Sequence, residues 1–177
     1  MKYFTCLFCF VIFVSCNHIK TVTEKPEELN TSLTPHRGGL DLIEVGNALL
    51  NCMQDKISFE QLSTYIPSKT EIKSLSEITN SPMSDVEITS AADVALKTIA
   101  GGFIKSKNDG LLKEIKWADA KLDNVTSQEM PGLPVKSKLV YWNMSEGKKQ
   151  FRLTAKCMQI GNYWFIGQDL QFNIIGI

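Results

Sequence analysis

From residue 41 onward the apolar positions fall into two regimes. Leu42, Val45, Leu49 and Met53 recur at steps of three and four, with Ile43, Leu50 and Cys52 beside them, the period of an amphipathic helix. Asp41 stands at its start, where a carboxylate suits the helix dipole. Ser58-Phe59-Glu60-Gln61 reads as a capping box opening a short helix through Leu62, Tyr65 and Ile66, ended by Pro67. Ile72, Leu75 and Ile78 predict a third helix, stopped by the turn-forming Asn80-Ser81-Pro82. A longer helix is expected from about Ser84 to Ser106, with a second capping box at Ser84 and Glu87 and a stripe of Ile88, Ala92, Ala95, Leu96, Ile99 and Phe103. Gly101-Gly102 lies inside it at a cost of up to about 2 kcal/mol relative to alanines, so a break is expected there. The pair has no Walker spacing and no preceding strand, and reads as a helix end or a close packing contact rather than a phosphate loop.

Beyond Gly110 the period changes to two. Ile115, Trp117, Leu122 and Val125 predict a first strand, and Met130-Pro131-Gly132-Leu133-Pro134 a loop. Val135 to Met144 alternates two sets of side chains and meets the next strand through Ser145-Glu146-Gly147-Lys148. Phe151, Leu153, Ala155 and Cys157 then alternate with Arg152, Thr154, Lys156 and Met158. Gly161-Asn162 makes a two-residue, glycine-first hairpin into a last strand carrying Trp164, Ile166, Leu170, Phe172 and Ile174. Helices followed by an antiparallel meander predict an α+β fold, with N-terminal helices packed on a curved sheet and Leu49, Leu96, Phe103, Phe151, Leu153 and Trp164 in the core.

The N-terminus follows different rules. Met1-Lys2 is a short positive stretch, and Tyr3 to Val14 is almost wholly apolar without charge. Its twelve residues reach about 18 Å as a helix, short of a hydrocarbon core of roughly 30 Å, so it reads as a signal segment and not a membrane anchor. The run ends in Phe13-Val14-Ser15-Cys16, which resembles the lipobox of bacterial lipoproteins, with Phe13 where leucine is usual. The resemblance implies cleavage before Cys16, acyl chains on its sulfur, and a bacterial envelope location. Asn17, rather than aspartate, after the cysteine resembles the signal that sends such proteins to the outer membrane. Asn17 to His36 is polar and lacks aromatic residues, as expected of a flexible tether. The organisation expected is therefore residues 1–15 as signal peptide, 16–37 as lipidated cysteine and tether, and 38–177 as one domain.

Composition narrows the function. Nineteen basic and 19 acidic side chains balance, which argues against a nucleic-acid partner. The only histidines, His18 and His36, fall in the tether, so no metal, no cofactor and no histidine base is expected in the domain. Cys6 and Cys9 leave with the signal, and Cys52 and Cys157 are open to a disulfide or to separate burial. The carboxylates Asp119, Asp123 and Asp169, with Tyr141 and Tyr163 as hydrogen-bond partners, are weak catalytic candidates, because nothing in their spacing shows burial or pairing. The neighbouring pairs Tyr141-Trp142 and Tyr163-Trp164 must face opposite sides of the sheet, so one ring of each is core and the other is a candidate binding residue.

The helical half followed by Lys138-Leu139-Val140-Tyr141-Trp142, Phe151-Arg152-Leu153-Thr154-Ala155-Lys156 and Gly161-Asn162-Tyr163-Trp164-Phe165-Ile166 resembles the nuclear-transport-factor-2-like and cystatin-like superfamily. That resemblance implies a cone-shaped roll whose mouth is sometimes a pocket, and implies a fold more than an activity. Three readings follow: a noncatalytic binding or assembly module with an envelope protein as partner, a carrier of a small apolar ligand in the roll, and a hydrolyase or isomerase of the polyketide-cyclase kind. The sequence leaves catalysis open and leans against it. Replacing Cys16 by alanine is expected to abolish palmitate labelling and release the protein from the membrane fraction, and unchanged labelling and retention would refute the lipid anchor.

Overall fold

Among the described residues, side-chain caps start each α-helix. The Asp41 carboxylate accepts from the Glu44 backbone N–H at 2.7 Å, and reciprocal capping boxes join Ser58 to Gln61, Ser68 to Glu71 and Ser84 to Glu87. Three of these caps are legible in the sequence; the Ser68 box emerges only with the structure. Three helices end alike, with Asp55, Asn80 and Glu114 in the left-handed region at φ 58°, 50° and 56°. At each end a pair of backbone hydrogen bonds closes the last turn, as Glu114 N–H to Leu111 C=O and Ile115 N–H to Gly110 C=O do in the longest helix.

The computed structural model describes residues 22–24 and 37–176. The signal segment, Cys16, His18 and His36 lie outside the described residues. The elements are β1 (Val22–Glu24), α1 (Leu42–Met53), α2 (Phe59–Leu62) with a 3-10 turn at Ser63–Tyr65, α3 (Lys69–Ile78) and α4 (Asp85–Leu112). A 3-10 turn at Trp117–Asp119 then leads to β2 (Lys121–Glu129), β3 (Ser137–Glu146), β4 (Lys149–Ile160) and β5 (Tyr163–Gly176). β2 to β5 form an antiparallel meander against which the helices pack, so the fold is α+β. β1 adds to its edge, with Val22 opposite Ser127 and Glu24 opposite Val125. A strand therefore stands inside the segment expected to be only a tether. Thr21-Val22-Thr23 are β-branched, and the outer edge of β2 offers unpaired backbone groups.

Three further expectations are corrected. α4 runs unbroken through Gly101-Gly102, because a Cβ on Gly102 would stand 2.8 Å from the Leu170 carbonyl oxygen: the glycine lets the helix lie directly on β5. Leu96 is 40% exposed rather than core. It lies between the first turns of α4, where Ile88 and Ala92 pack with Ile72 of α3, and the later turns, where Ile99 and Phe103 enter the main core. Ile115 and Trp117 precede the first meander strand instead of forming it.

Trp142 of β3 is wholly buried and holds α1 to the sheet. Its indole N–H donates to the Leu42 carbonyl at 2.8 Å, and its ring lies so close to α1 that a Cβ on Gly46 would come within 2.7 Å of Nε1. Trp117 repeats the arrangement on α4, donating to the Lys107 carbonyl at 3.1 Å with its ring against Gly110. Trp117 meets Phe151 and Phe172 edge-to-face, and those two rings are tilted against each other, with centroids 5.4 to 6.0 Å apart.

The chain leading into α1 is tied at several points. Gly39 exchanges two backbone hydrogen bonds with Trp164, and Gly38 donates to the Thr64 carbonyl. Gly38 sits at φ 81° with Phe165 and Tyr163 within 3 Å of where a Cβ would be, so only glycine fits. Arg37 donates to Glu71 at 3.2 Å and to the carbonyls of Ser63 and Ile66. Burial alone would raise the Glu71 carboxyl, but hydrogen bonds from Ser68 and the charge and hydrogen bond of Arg37 outweigh it and hold it below its ordinary value. Burial, and then the Glu44 carboxylate that accepts its hydroxyl, push Tyr65 up to about 12. Cys52 and Cys157 are separately buried free thiols, which settles the alternative in favour of no bridge; burial raises both, against the pull of the Lys107 ammonium in the case of Cys52.

Gly46→Ala is expected to destabilise the domain by about 1–3 kcal/mol through overlap with the Trp142 indole. Gly101→Ala, with open space around its missing Cβ, should instead stabilise it by about 1 kcal/mol. Urea midpoints of the two variants test the contrast, and equal shifts would contradict it.

Candidate functional site

Alternation along β2 to β5 sends one set of side chains to the core and leaves the other on the outer face. On the core face stand Val125, Val140, Trp142, Met144, Phe151, Leu153, Ala155 and Cys157, all buried. The outer set is assembled by strand register into three rows of four. Asn124, Asn143, Arg152 and Asn173 lie directly across from one another, then Thr126, Tyr141, Thr154 and Gln171, then Gln128, Leu139, Lys156 and Gln168. Ten of these twelve side chains carry no charge, and none is acidic. The result is a half-buried surface of hydroxyl and amide groups around two cations.

The two cations differ. Lys156 pairs with Asp169 at 2.7 Å. Arg152 has no carboxylate and no hydrogen-bond acceptor among the described residues; its guanidinium lies over the Tyr141 ring, 5.2 Å from the centroid. Its Nε is buried and unpartnered, and so is the Oδ1 of Asn143 in the next strand, whose amide N–H₂ donates to Asn124 at 2.7 Å. Arg37, Lys105, Lys107, Lys138 and Lys149, by contrast, all have acidic partners. Tyr141, Arg152, Thr154, Asn173, Ile174 and Ile175 border an open depression of about 470 Å³. A second depression, about 490 Å³, lies between α3 and the start of α4 around Ser76, Met83 and Ile88.

The aromatic candidates separate as alternation requires. Tyr141 is half-buried on the outer face, whereas Trp142 is core. Tyr163 is half-buried and Trp164 is 6% exposed in the core, with the ammonium groups of Lys136 and Lys138 5.4 and 5.5 Å from its ring centroid. Tyr141 and Tyr163 do not make one aromatic patch. They lie opposite Thr154 and Ile160 of β4, six residues apart, or about 20 Å along the strand.

The carboxylate candidates remain at the surface and apart. Asp119 is exposed in the 3-10 turn before β2. Asp123 is exposed at a register shift in β2 and accepts from the Ser145 hydroxyl at 2.8 Å. Asp169 occupies a β5 bulge at φ 59° and is paired with Lys156. No two of them share a hydrogen-bond or ion-pair partner. Among the described residues no group of three histidine, cysteine or acidic side chains could hold a metal, and no helix is long and apolar enough to cross a membrane. Sequence reasoning missed Arg152 as a site residue. Its signal was available in the outward set Arg152, Thr154 and Lys156, but the missing partner is a property of register.

Comparison of the chain with protein-family models, with curated proteins and with solved structures finds no match.

The opposite roles of the neighbouring rings are measurable. Trp142→Ala should cost about 3–5 kcal/mol through the cavity it leaves. Tyr141→Ala should stay within about 1 kcal/mol of the parent, as expected for a residue outside the core. Denaturant unfolding of the two variants distinguishes them, and a larger loss for Tyr141→Ala would reverse the assignment.

Proposed function

We propose that this chain is a lipid-anchored protein of the bacterial envelope, held in the outer membrane through acyl chains on Cys16, whose domain is a noncatalytic binding module. The working surface is the outer face of the sheet around Tyr141 and Arg152. The observation that carries this reading is the mismatch at that face: a half-buried guanidinium without a hydrogen-bond or ion-pair partner among the described residues, in rows of polar side chains that no described element covers. Leaving a buried polar group unpaired is costly, and a bound partner removes the cost. The likeness to the nuclear-transport-factor-2-like and cystatin-like superfamily rests on helices preceding a meander and on the Gly161-Asn162 hairpin.

The two other readings receive less support. A carrier needs space between helices and sheet, where Trp142, Phe151, Leu153, Met144, Leu49 and Ile166 are packed with almost no exposure. A hydrolyase or isomerase needs Asp119, Asp123 or Asp169 turned inward with a partner, and all three are exposed.

A photo-crosslinking amino acid placed at position 141 of the full-length protein in cells is expected to give one discrete adduct with an envelope component. The same group at Val94, on the exposed side of α4, should give none. Identical adducts from both positions, or none from position 141, would overturn the outer face as the binding surface.

A further inference from the structure

The unpartnered guanidinium identifies a ligand chemistry. We infer that the outer face of the sheet binds a carboxylate group at Arg152, a carboxylate attached to an aliphatic neighbour, as at a peptide C-terminus or on a short fatty acid. The inference rests on the binding-module reading and deepens it.

Four observations converge on one place. Arg152 stands inside an in-register row, between Asn143, whose amide N–H₂ is given to Asn124, and Asn173. Its guanidinium lies over the Tyr141 ring, 5.2 Å from the centroid, and its buried Nε has no acceptor among the described residues. The depression beside it joins that cation to hydroxyl and amide groups and to the aliphatic Ile175, 47% exposed, while Ile174, which also borders it, packs against the core. Finally, the other cation of the face is already neutralised by Asp169, so the site offers one net positive charge.

One planar cation, with the Asn173 amide beside it, matches a planar monoanion. Arginine presents parallel N–H groups that a carboxylate accepts in a bidentate pair, and these charge-assisted bonds are stronger than neutral ones. A phosphate dianion would retain an uncompensated charge here, with no second free ammonium in the rows and no helix N-terminus among them. The apolar rim gives the group behind the carboxylate a dry contact, which a free inorganic anion cannot use.

The chain contains only two arginines, Arg37 and Arg152. Arginine-labelled full-length protein in detergent micelles therefore has two side-chain Nε–H resonances, and Arg37, bound to Glu71, is an internal control. Titration with N-acetylleucine, hexanoate and inorganic phosphate at constant ionic strength is expected to move the Arg152 resonance saturably with both carboxylates and to leave Arg37 in place. Arg152→Lys, which keeps the charge and loses the fork, should weaken binding about tenfold. Asn143→Asp places a carboxylate directly across from Arg152 and should occupy the site from within, abolishing the titration without unfolding the sheet. Tighter binding of N-acetylleucine assigns the source to a peptide terminus, and tighter binding of hexanoate to a fatty acid.

Parallel shifts of both arginines, no saturation with either carboxylate, equal binding of phosphate, or an unchanged titration in Asn143→Asp would overturn the inference. Loss of the titration with the position-141 adduct retained removes the carboxylate and keeps the binding face. Loss of the adduct with a saturable titration retained removes the envelope partner and keeps the carboxylate site.

Discussion

The contact of Trp142 with α1 is the constraint on which the remaining architecture depends. A buried indole must place its N–H, and here it does so on the carbonyl of Leu42, in the first turn of α1. That hydrogen bond requires the helix backbone to approach the ring, and Gly46 is what permits it. Because Leu42 lies three residues beyond the strap formed by Arg37, Gly38 and Gly39, the same contact sets how the chain passes β5 and the turn at Ser63–Tyr65. Trp117 on Gly110 and Lys107 repeats this geometry at the far end of α4, so two tryptophans join both long helices to the rest of the core.

Curvature is distributed unevenly over the sheet, and the outer face depends on where it falls. β3 and β4 pair without interruption from Ser137 opposite Met158 to Glu146 opposite Lys149. The irregularities lie in the flanking strands, at Asp123 of β2 and at Gly167, Asp169 and Ile175 of β5. Bulges bend and twist a strand while leaving the pairing between them aligned. The three outer rows survive for that reason, and β5 can turn toward α4, meeting it where Gly102 lies on Leu170.

Net neutrality conceals a local asymmetry. Among the described residues, ion pairs distribute six cations among acidic partners, each pair with at least one exposed side chain, where it contributes little to stability. Arg152 differs because its neighbours across the strands are amides and its stacking partner is a phenol ring. A polar row of this kind leaves one donor, Arg152 Nε, and one acceptor, Asn143 Oδ1, unpaired among the described residues.

How much of this was legible follows from the range of each interaction. Helix starts were readable at Asp41, Ser58 and Ser84 because a cap is a contact over three residues, and the Gly161-Asn162 hairpin because a turn is local. The α+β class followed from the change of period near Gly110. Local patterning could say that Tyr141 and Trp142 face opposite ways, but not which is buried; that required Gly46 of α1, almost a hundred residues earlier, to provide the space. The burial of Leu96 and the continuity of α4 at Gly101-Gly102 escape the local pattern for the same reason: Leu96 falls between two packing partners, and Gly102 makes its close packing contact with a strand that the helix pattern cannot see. The sequence by itself determined three of the four caps, the Gly161-Asn162 turn, the order of helices before meander and the pair of arginines. The tertiary structure decided that one arginine would be paired and the other left open, because an ion pair depends on register between strands distant in sequence, and register is set by the whole sheet.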